Sequence, residues 1–426
     1  MGKRLPRAMR GSLAAFASLV SLCSFAADTV IQNVKIELGD GQIIDKGTVL
    51  LRDDRIAEVG TSVTVPQGAT TIDGTGLVVF PGFIDAYSTR GLRLPDAPAA
   101  GTPPANTTTA PPTMWQGNRK SIRASLRASD LLNLGPTAED ARKNGITSAF
   151  LCPGSGILRG SGALVLMTDE KQTAPEFGSE ISFRGTGGGG PGGGGGGQGQ
   201  GANPYPGSLM GYIALLRQTL YDAQAYLAAK PEKKDPDLEE LGKVFSGTAV
   251  IAADTIPDIT RALRLAGEFN LKIFVSGGRN AYQMLSELSG VPVLASISIG
   301  TEPAVRPTPD GAPAEVLEER RAAWKERSMN VIKLVEAGAK VAFSSDGDGV
   351  GSYLANVRKL ITMGLKREDA LKAMTTTPAS LFGMADWGSI KKGGVANLVV
   401  MDGDFASESS KVKMVFVNGK KFEVSK

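Results

Sequence analysis

The sequence predicts an α/β protein with a small all-β accessory domain. Strand and helix signals alternate through the middle of the chain, which argues for a parallel sheet with helices outside it. Both ends read only as strands, so the two termini are expected to meet in one sheet domain. The length, 426 residues, exceeds what one small domain uses and suits one large barrel with an accessory unit. An apolar fraction of 42% is enough for a sizeable core, and with aromatics at 6% aliphatic side chains must fill most of it.

The N-terminus has the grammar of a secretory signal. Lys3, Arg4, Arg7 and Arg10 form a basic region, Leu13 to Leu22 a short apolar run, and Ser24-Phe25-Ala26 a small-x-small cleavage site. The apolar run falls short of the ~20 residues that span a bilayer, so export with cleavage after Ala26 is expected, with no stable membrane anchor. The destination is periplasmic or extracellular. A lipid anchor on Cys23 is disfavoured by Leu22, which is large where a small residue is needed. Cleavage removes four basic and no acidic residues, which brings the 47 Lys and Arg into balance with the 43 Asp and Glu. No basic field remains to recruit nucleic acid or anionic membrane. Cys152 is then the one cysteine left. No internal disulfide can form, and the thiol reads as a small buried hydrophobe.

Residues 28 to 80 read as strands around Val30–Ile36, Thr48–Leu51, Arg55–Val59, Thr70–Asp73 and Leu77–Phe80, with turns at Gly39-Asp40-Gly41 and Asp53-Asp54. Residues 95 to 113, rich in Pro, Ala and Thr, read as an extended loop. Residues 185 to 201 are a glycine tract. Without Gly-Lys-Ser/Thr before a helix it is no phosphate-binding loop and reads as a flexible insertion. Strands are expected at Ile146–Cys152, Ala163–Met167, Thr248–Ala253, Lys272–Val275, Val291–Leu294 and Lys340–Ser344. Helices are expected at Leu209–Ala228, Pro257–Phe269, Glu315–Ala337, Ser352–Met363 and Arg367–Thr375. The chain closes on strands at Leu398–Met401, Met414–Asn418 and Phe422–Val424.

Two segments carry a family resemblance. Pro81-Gly82-Phe83-Ile84-Asp85-Ala86 matches the end of a first barrel strand. Ala373-Met374-Thr375-Thr376-Thr377-Pro378-Ala379, followed by Gly388-Ser389-Ile390 and Gly393-Gly394-Val395-Ala396-Asn397-Leu398-Val399-Val400, matches a closing segment. In these the chain resembles the amidohydrolase superfamily, more narrowly its imidazolonepropionase-like or dihydroorotase-like exported members. The resemblance implies a (β/α)8 TIM barrel over residues 81–387 and a composite β-sandwich from residues 27–80 and 388–426. It also implies a site at the C-terminal ends of the barrel strands, where relatives hold zinc-type metals that activate water for hydrolysis of non-peptide C–N bonds.

The chain departs from that pattern at its centre, because it contains no histidine, the commonest protein ligand of such metals. Where the family reads Asp-Ala-His-x-His, this sequence has Asp85-Ala86-Tyr87-Ser88-Thr89. Flanking text aligns Ala252 with the ligand of the fifth strand and Gly277 with that of the sixth. Phe343-Ser344-Ser345-Asp346 keeps the eighth-strand aspartate. Asp346 is the one candidate catalytic residue, and the plain alternative is that it accepts backbone N–H groups at the strand end. Asp85, Asp254, Glu302, Asp346 and Asp348 are candidate oxygen ligands for a hard cation, although Asp346-Gly347-Asp348-Gly349 lacks the distant bidentate Glu of a calcium loop.

These residues lead to the expectation of a barrel without cofactor or classical metal, inactive by the classical mechanism. Such a barrel would bind a small molecule or serve as partner to an active paralogue, as a homo- or hetero-oligomer. Tyr87 would fill the vacated metal space. The alternatives are a hydrolase with a carboxylate site around Asp346, and an exported scaffold that assembles through the glycine tract and the Pro- and Thr-rich loop.

Overall fold

The computed structural model describes residues 28–95, 122–170, 172, 175–183, 208–232, 234–303 and 313–424. The expected signal segment, the glycine tract and nearly all of the 95–113 loop lie outside the described residues.

The chain ends form one eight-stranded sheet. The first part supplies β1 (Thr29–Glu37), β2 (Ile43–Arg52), β3 (Arg55–Gly60), β4 (Thr70–Asp73) and β5 (Val78–Pro81). The last part supplies β14 (Leu398–Met401), β15 (Val412–Val417) and β16 (Lys420–Glu423). The order is β16-β15-β14-β5-β1-β2-β3, with β4 paired to β1. β5 and β14 join the two ends, Val79 opposite Val400 and Phe80 opposite Val399. Ile31, Ile36, Val49, Ile56, Leu398 and Phe416 pack as the core of this sheet domain.

The second eight-stranded sheet curves into a barrel. Its strands are β6 (Phe83–Ser88), β7 (Ile146–Leu151), β8 (Leu158–Leu166), β9 (Glu176–Ser182), β10 (Thr248–Ala253), β11 (Lys272–Gly277), β12 (Val293–Ser296) and β13 (Val341–Ser344), neighbouring in that order. β13 packs back against β6. Around it lie α1 (Gly135–Lys143), α2 (Leu209–Ala229), α3 (Pro236–Gly242), α4 (Ile256–Phe269), α5 (Ala314–Ser328), α6 (Asn330–Glu336), α7 (Tyr353–Thr362), α8 (Arg367–Met374) and α9 (Thr376–Leu381). Side-chain oxygens start several of these helices: Ser208 caps α2, Asp235 caps α3 and Thr255 caps α4.

Eight identical strand–helix units do not result. β8 runs antiparallel to both β7 and β9. The reason lies in the connections. Residues 152–157 join β7 to β8 and residues 167–175 join β8 to β9. A parallel crossover takes a dozen or more residues, so short links force the strand to reverse. The expected helix Glu315–Ala337 also divides at Met329. Asn330, the first residue of α6, accepts the N–H of Tyr282 at 3.0 Å and donates to the Gly278 carbonyl at 3.0 Å.

Alternation sorts the barrel strands. Ile84, Phe150, Leu164, Val250, Phe274, Leu294 and Ala342 point inward and pack with Phe177 and Phe382. Phe343, Val275, Ile251 and Val293 point outward against the helices.

Candidate functional site at the barrel mouth

Two residues further along each strand, the inward positions change character. Ala86, Ala252, Ser276, Ser296 and Ser344 replace the large apolar layer beneath them. The barrel thus narrows on an aromatic floor and opens through small and polar side chains. Ser276 and Ser344 keep their hydroxyls buried without a hydrogen-bond partner.

One wall of this mouth is a buried hydrogen-bonded cluster. Because β8 is inverted, its first residues reach the end of the barrel where the parallel strands finish. Gly160 stands opposite Glu180, and Leu158 opposite Ile181. Arg159 enters here, donating from Nη1 to Glu180 Oε1 at 2.7 Å and from Nε to the Gly156 carbonyl at 3.1 Å. The Tyr87 hydroxyl donates to the same Glu180 oxygen. The next residue of β8 is closely packed against the chain at Leu126. Gly160 has φ +95°, and a Cβ there would strike the Leu126 carbonyl.

Burial, and then the neighbouring Glu180 carboxylate, hold the Tyr87 phenol well above its ordinary value, so it stays protonated and donates. Burial and then Glu180 likewise push up the Cys152 thiol, which is inert at neutral pH. Burial works against charge on Arg159. Glu180 outweighs it, and the guanidinium is held above its ordinary value. Glu180 Oε2 is buried with no hydrogen-bond partner.

The adjoining wall, at the ends of β10, β11 and β13, carries other carboxylates. Gly277 ends β11 with φ +88°, and the Asp254 carboxylate stands where a Cβ on Gly277 would go. Asp254 Oδ1 makes no hydrogen bond, and Arg279 Nε lies 3.6 Å from it. Asp346 sits among these groups. Burial raises its carboxyl above the ordinary range, Arg279 opposes that rise, and Asp254 and Glu180 add to it. The expectation that Asp346 accepts backbone N–H groups does not hold among the described residues. Instead its own carbonyl accepts from Ser296 Oγ at 2.5 Å.

Asp85 closes the barrel seam. Its Oδ1 accepts the Ser345 N–H at 2.8 Å and its Oδ2 accepts the Ser345 hydroxyl at 2.5 Å. This joins β6 to the end of β13, two strands that share no ladder. Burial raises Asp85 to about 7 against the pull of the Ser345 hydrogen bonds.

The mouth therefore gathers Tyr87, Ala252, Asp254, Gly277 and Asp346 among the residues singled out from sequence. The others lie elsewhere or are engaged. Thr89 is exposed beyond β6. Glu302 pairs with Arg321 at 2.8 Å. Asp348 accepts from Ser298 at 2.6 Å and Asn356 at 3.0 Å. Glu180 and Arg159 escaped the sequence reading. Glu180 lies in a strand interrupted by Gly178 and flanked by serines, so apolar periodicity does not reveal it.

These donors do not suit the metal that the fold family implies. Zinc takes nitrogen, sulfur and carboxylate ligands converging at about 2.0–2.3 Å. Ala252 and Gly277 offer no side-chain donor, and Glu180 Oε1 is taken by Tyr87 and Arg159. Among the described residues no three His, Cys, Asp or Glu side chains are placed to hold an ion. The mouth can instead offer carboxylates, guanidinium N–H groups and free hydroxyls to a polar ligand.

Comparison with known proteins places the architecture. Residues 312–422 match the sequence model of the amidohydrolase family. A 50-residue stretch, 12% of this chain and 11% of the relative, is 40% identical to dihydroorotase of Mycobacterium tuberculosis, so the match spans about a ninth of that protein. An amidohydrolase from Thermotoga maritima superposes with a TM-score of 0.70 over 93% of this chain and all of its own, at 23% identity. A Xaa-Pro dipeptidase with bound methionine superposes at 0.56, over 93% of this chain and all of its own, at 15% identity. The C-terminal part of the chain thus matches the amidohydrolase family model, and the chain shares the fold of these solved structures over 93% of its length. Among the described residues no helix is long and apolar enough to cross a membrane.

Proposed function

We propose that this chain is an exported amidohydrolase-fold protein that binds a small polar ligand at the barrel mouth without metal-dependent hydrolysis. It would act alone or as the partner of a catalytically competent relative. One observation carries the reading: Tyr87, Glu180 and Arg159 form a buried hydrogen-bonded set in the mouth. The Arg159 guanidinium and the Glu180 carboxylate neutralise one another, so this wall is held together without an ion. The ligand chemistry follows from the mouth, where carboxylates and guanidinium groups of both walls face polar hydroxyls. The chain's likeness to a dihydroorotase and to a Xaa-Pro dipeptidase points to compact amide-bearing molecules. The deciding experiment offers Xaa-Pro dipeptides and cyclic amides to the purified chain, with and without added zinc or manganese. Binding without turnover is expected, and metal-stimulated turnover would overturn the reading.

The raised carboxyl of Asp346 favours a second reading, a metal-free hydrolase in which this carboxylate handles a proton. Turnover abolished by Asp346→Asn, with ligand affinity retained, would support it. Unchanged turnover would remove it.

A further inference from the structure

Beside the mouth, a cavity of about 270 Å³ lies between the end of β12, helices α5 and α6, and α7. Its lining includes Ser296, Arg279 and Arg327 and, among the described residues, no Asp, Glu or Lys. Trp324 forms part of the wall. Its indole N–H donates to the Ile299 carbonyl at 2.9 Å, which fixes the ring. Ile299, Val331 and Leu360 complete an apolar side.

The two arginines differ in how far they are already engaged. Arg279 has Asp254 at 3.6 Å, beyond hydrogen-bond reach. It lies across Gly347, where a Cβ would come within 2.8 Å of Nη2. The positive φ and missing side chain of Gly347 thus keep room for the guanidinium. Arg327 donates from Nε to the carbonyl of Ala323 at 3.3 Å, in its own helix. Among the described residues its terminal nitrogens face no carboxylate within ion-pair distance.

We infer that this cavity is a second binding site, for a small carboxylate with a flat apolar body. Two planar guanidinium forks match a carboxylate in bidentate geometry. A fixed indole and an aliphatic wall match a flat hydrocarbon face. The volume suits a compact metabolite rather than a polymer. The inference goes beyond the proposed function. Arg279 borders both the mouth and this cavity, whereas Arg327 and Trp324 border the cavity, so their variants let the two readings fail separately.

Isothermal titration of the mature chain with three isosteric probes tests it: phenylacetate, phenylacetamide and phenethylamine. Phenylacetate is expected to bind, more weakly as salt rises, with the amide and the amine at least about tenfold weaker. Arg327→Gln and Arg279→Gln are each expected to lose about tenfold or more in phenylacetate affinity. Arg327→Lys should fall between, because it keeps the charge and loses the fork. Trp324→Ala should weaken phenylacetate and phenylacetamide alike. Both arginines are exposed, and thermal unfolding of each variant checks that it folds. No phenylacetate binding, binding no tighter than phenylacetamide, or unchanged affinity in both Arg→Gln variants would overturn the assignment.

Discussion

Arg159 Nη1 and Glu180 Oε1 meet at 2.7 Å inside the barrel mouth, and the reversed third strand is what brings them together. A guanidinium buried beside a carboxylate is costly to separate. Removing one partner of such a pair typically costs about 3–5 kcal/mol, because the other charge is left uncompensated. Arg159→Ala is therefore expected to lower stability by about that much, measured by urea unfolding. Tyr87→Phe removes one hydrogen bond to a charged acceptor and should cost about 1.5–3 kcal/mol. Arg159→Ala unfolding at the wild-type urea midpoint would sink the buried-pair assignment.

The seam between β6 and β13 makes a prediction about pH. Asp85 is raised to about 7 in the folded chain from an ordinary value of 3.8. Its neutral form is favoured by folding, so the stability it contributes is full below pH 3.8 and is lost as pH rises through about 7. Asp346 is raised too and acts in the same direction. Asp85→Asn keeps an acceptor for the Ser345 N–H and removes the titration. Unfolding midpoints measured between pH 4 and 8 should fall with pH in the wild type and fall less in Asp85→Asn. An equal slope in both would show that Asp85 does not titrate in this window. Asp85→Ala leaves the Ser345 groups unpaired and should cost about 1–3 kcal/mol at any pH.

Gly277 has no room for a side chain. Its φ of +88° disfavours any L-residue, and the Asp254 carboxylate fills the Cβ position. Gly277→Ala should destabilise by about 1–2 kcal/mol from the backbone alone, with a further loss from displacing Asp254. Thermal melting measures it, and an unchanged melting temperature would mean the loop relaxes freely.

How much of this was legible in the sequence can be judged element by element. Thr248–Ala253 is visible as a strand because a short apolar run lies between turn residues, and its observed limits are the same. The long helix Leu209–Ala229 is visible from its leucine spacing. The two chain ends read as strands, and they do share a sheet. The direction of β8 is not carried by periodicity, which is the same for a strand run either way. It is carried by connection length, and Pro153, Gly154 and Gly156 mark the link 152–157 as a turn. Glu180 and Arg159 stayed hidden because each matters only through the other, across a pairing that sequence order does not reveal. Asp85, a candidate ligand by type, is taken up by Ser345, 260 positions away.

Metal content measures the central claim most directly. The mature chain would be dialysed against zinc, passed through a desalting column and analysed by inductively coupled plasma mass spectrometry. The expected result is far less than one zinc per chain, unchanged in Glu180→Gln. About one tightly held zinc per chain, lost in Glu180→Gln, would contradict it and restore a metal centre to the barrel mouth.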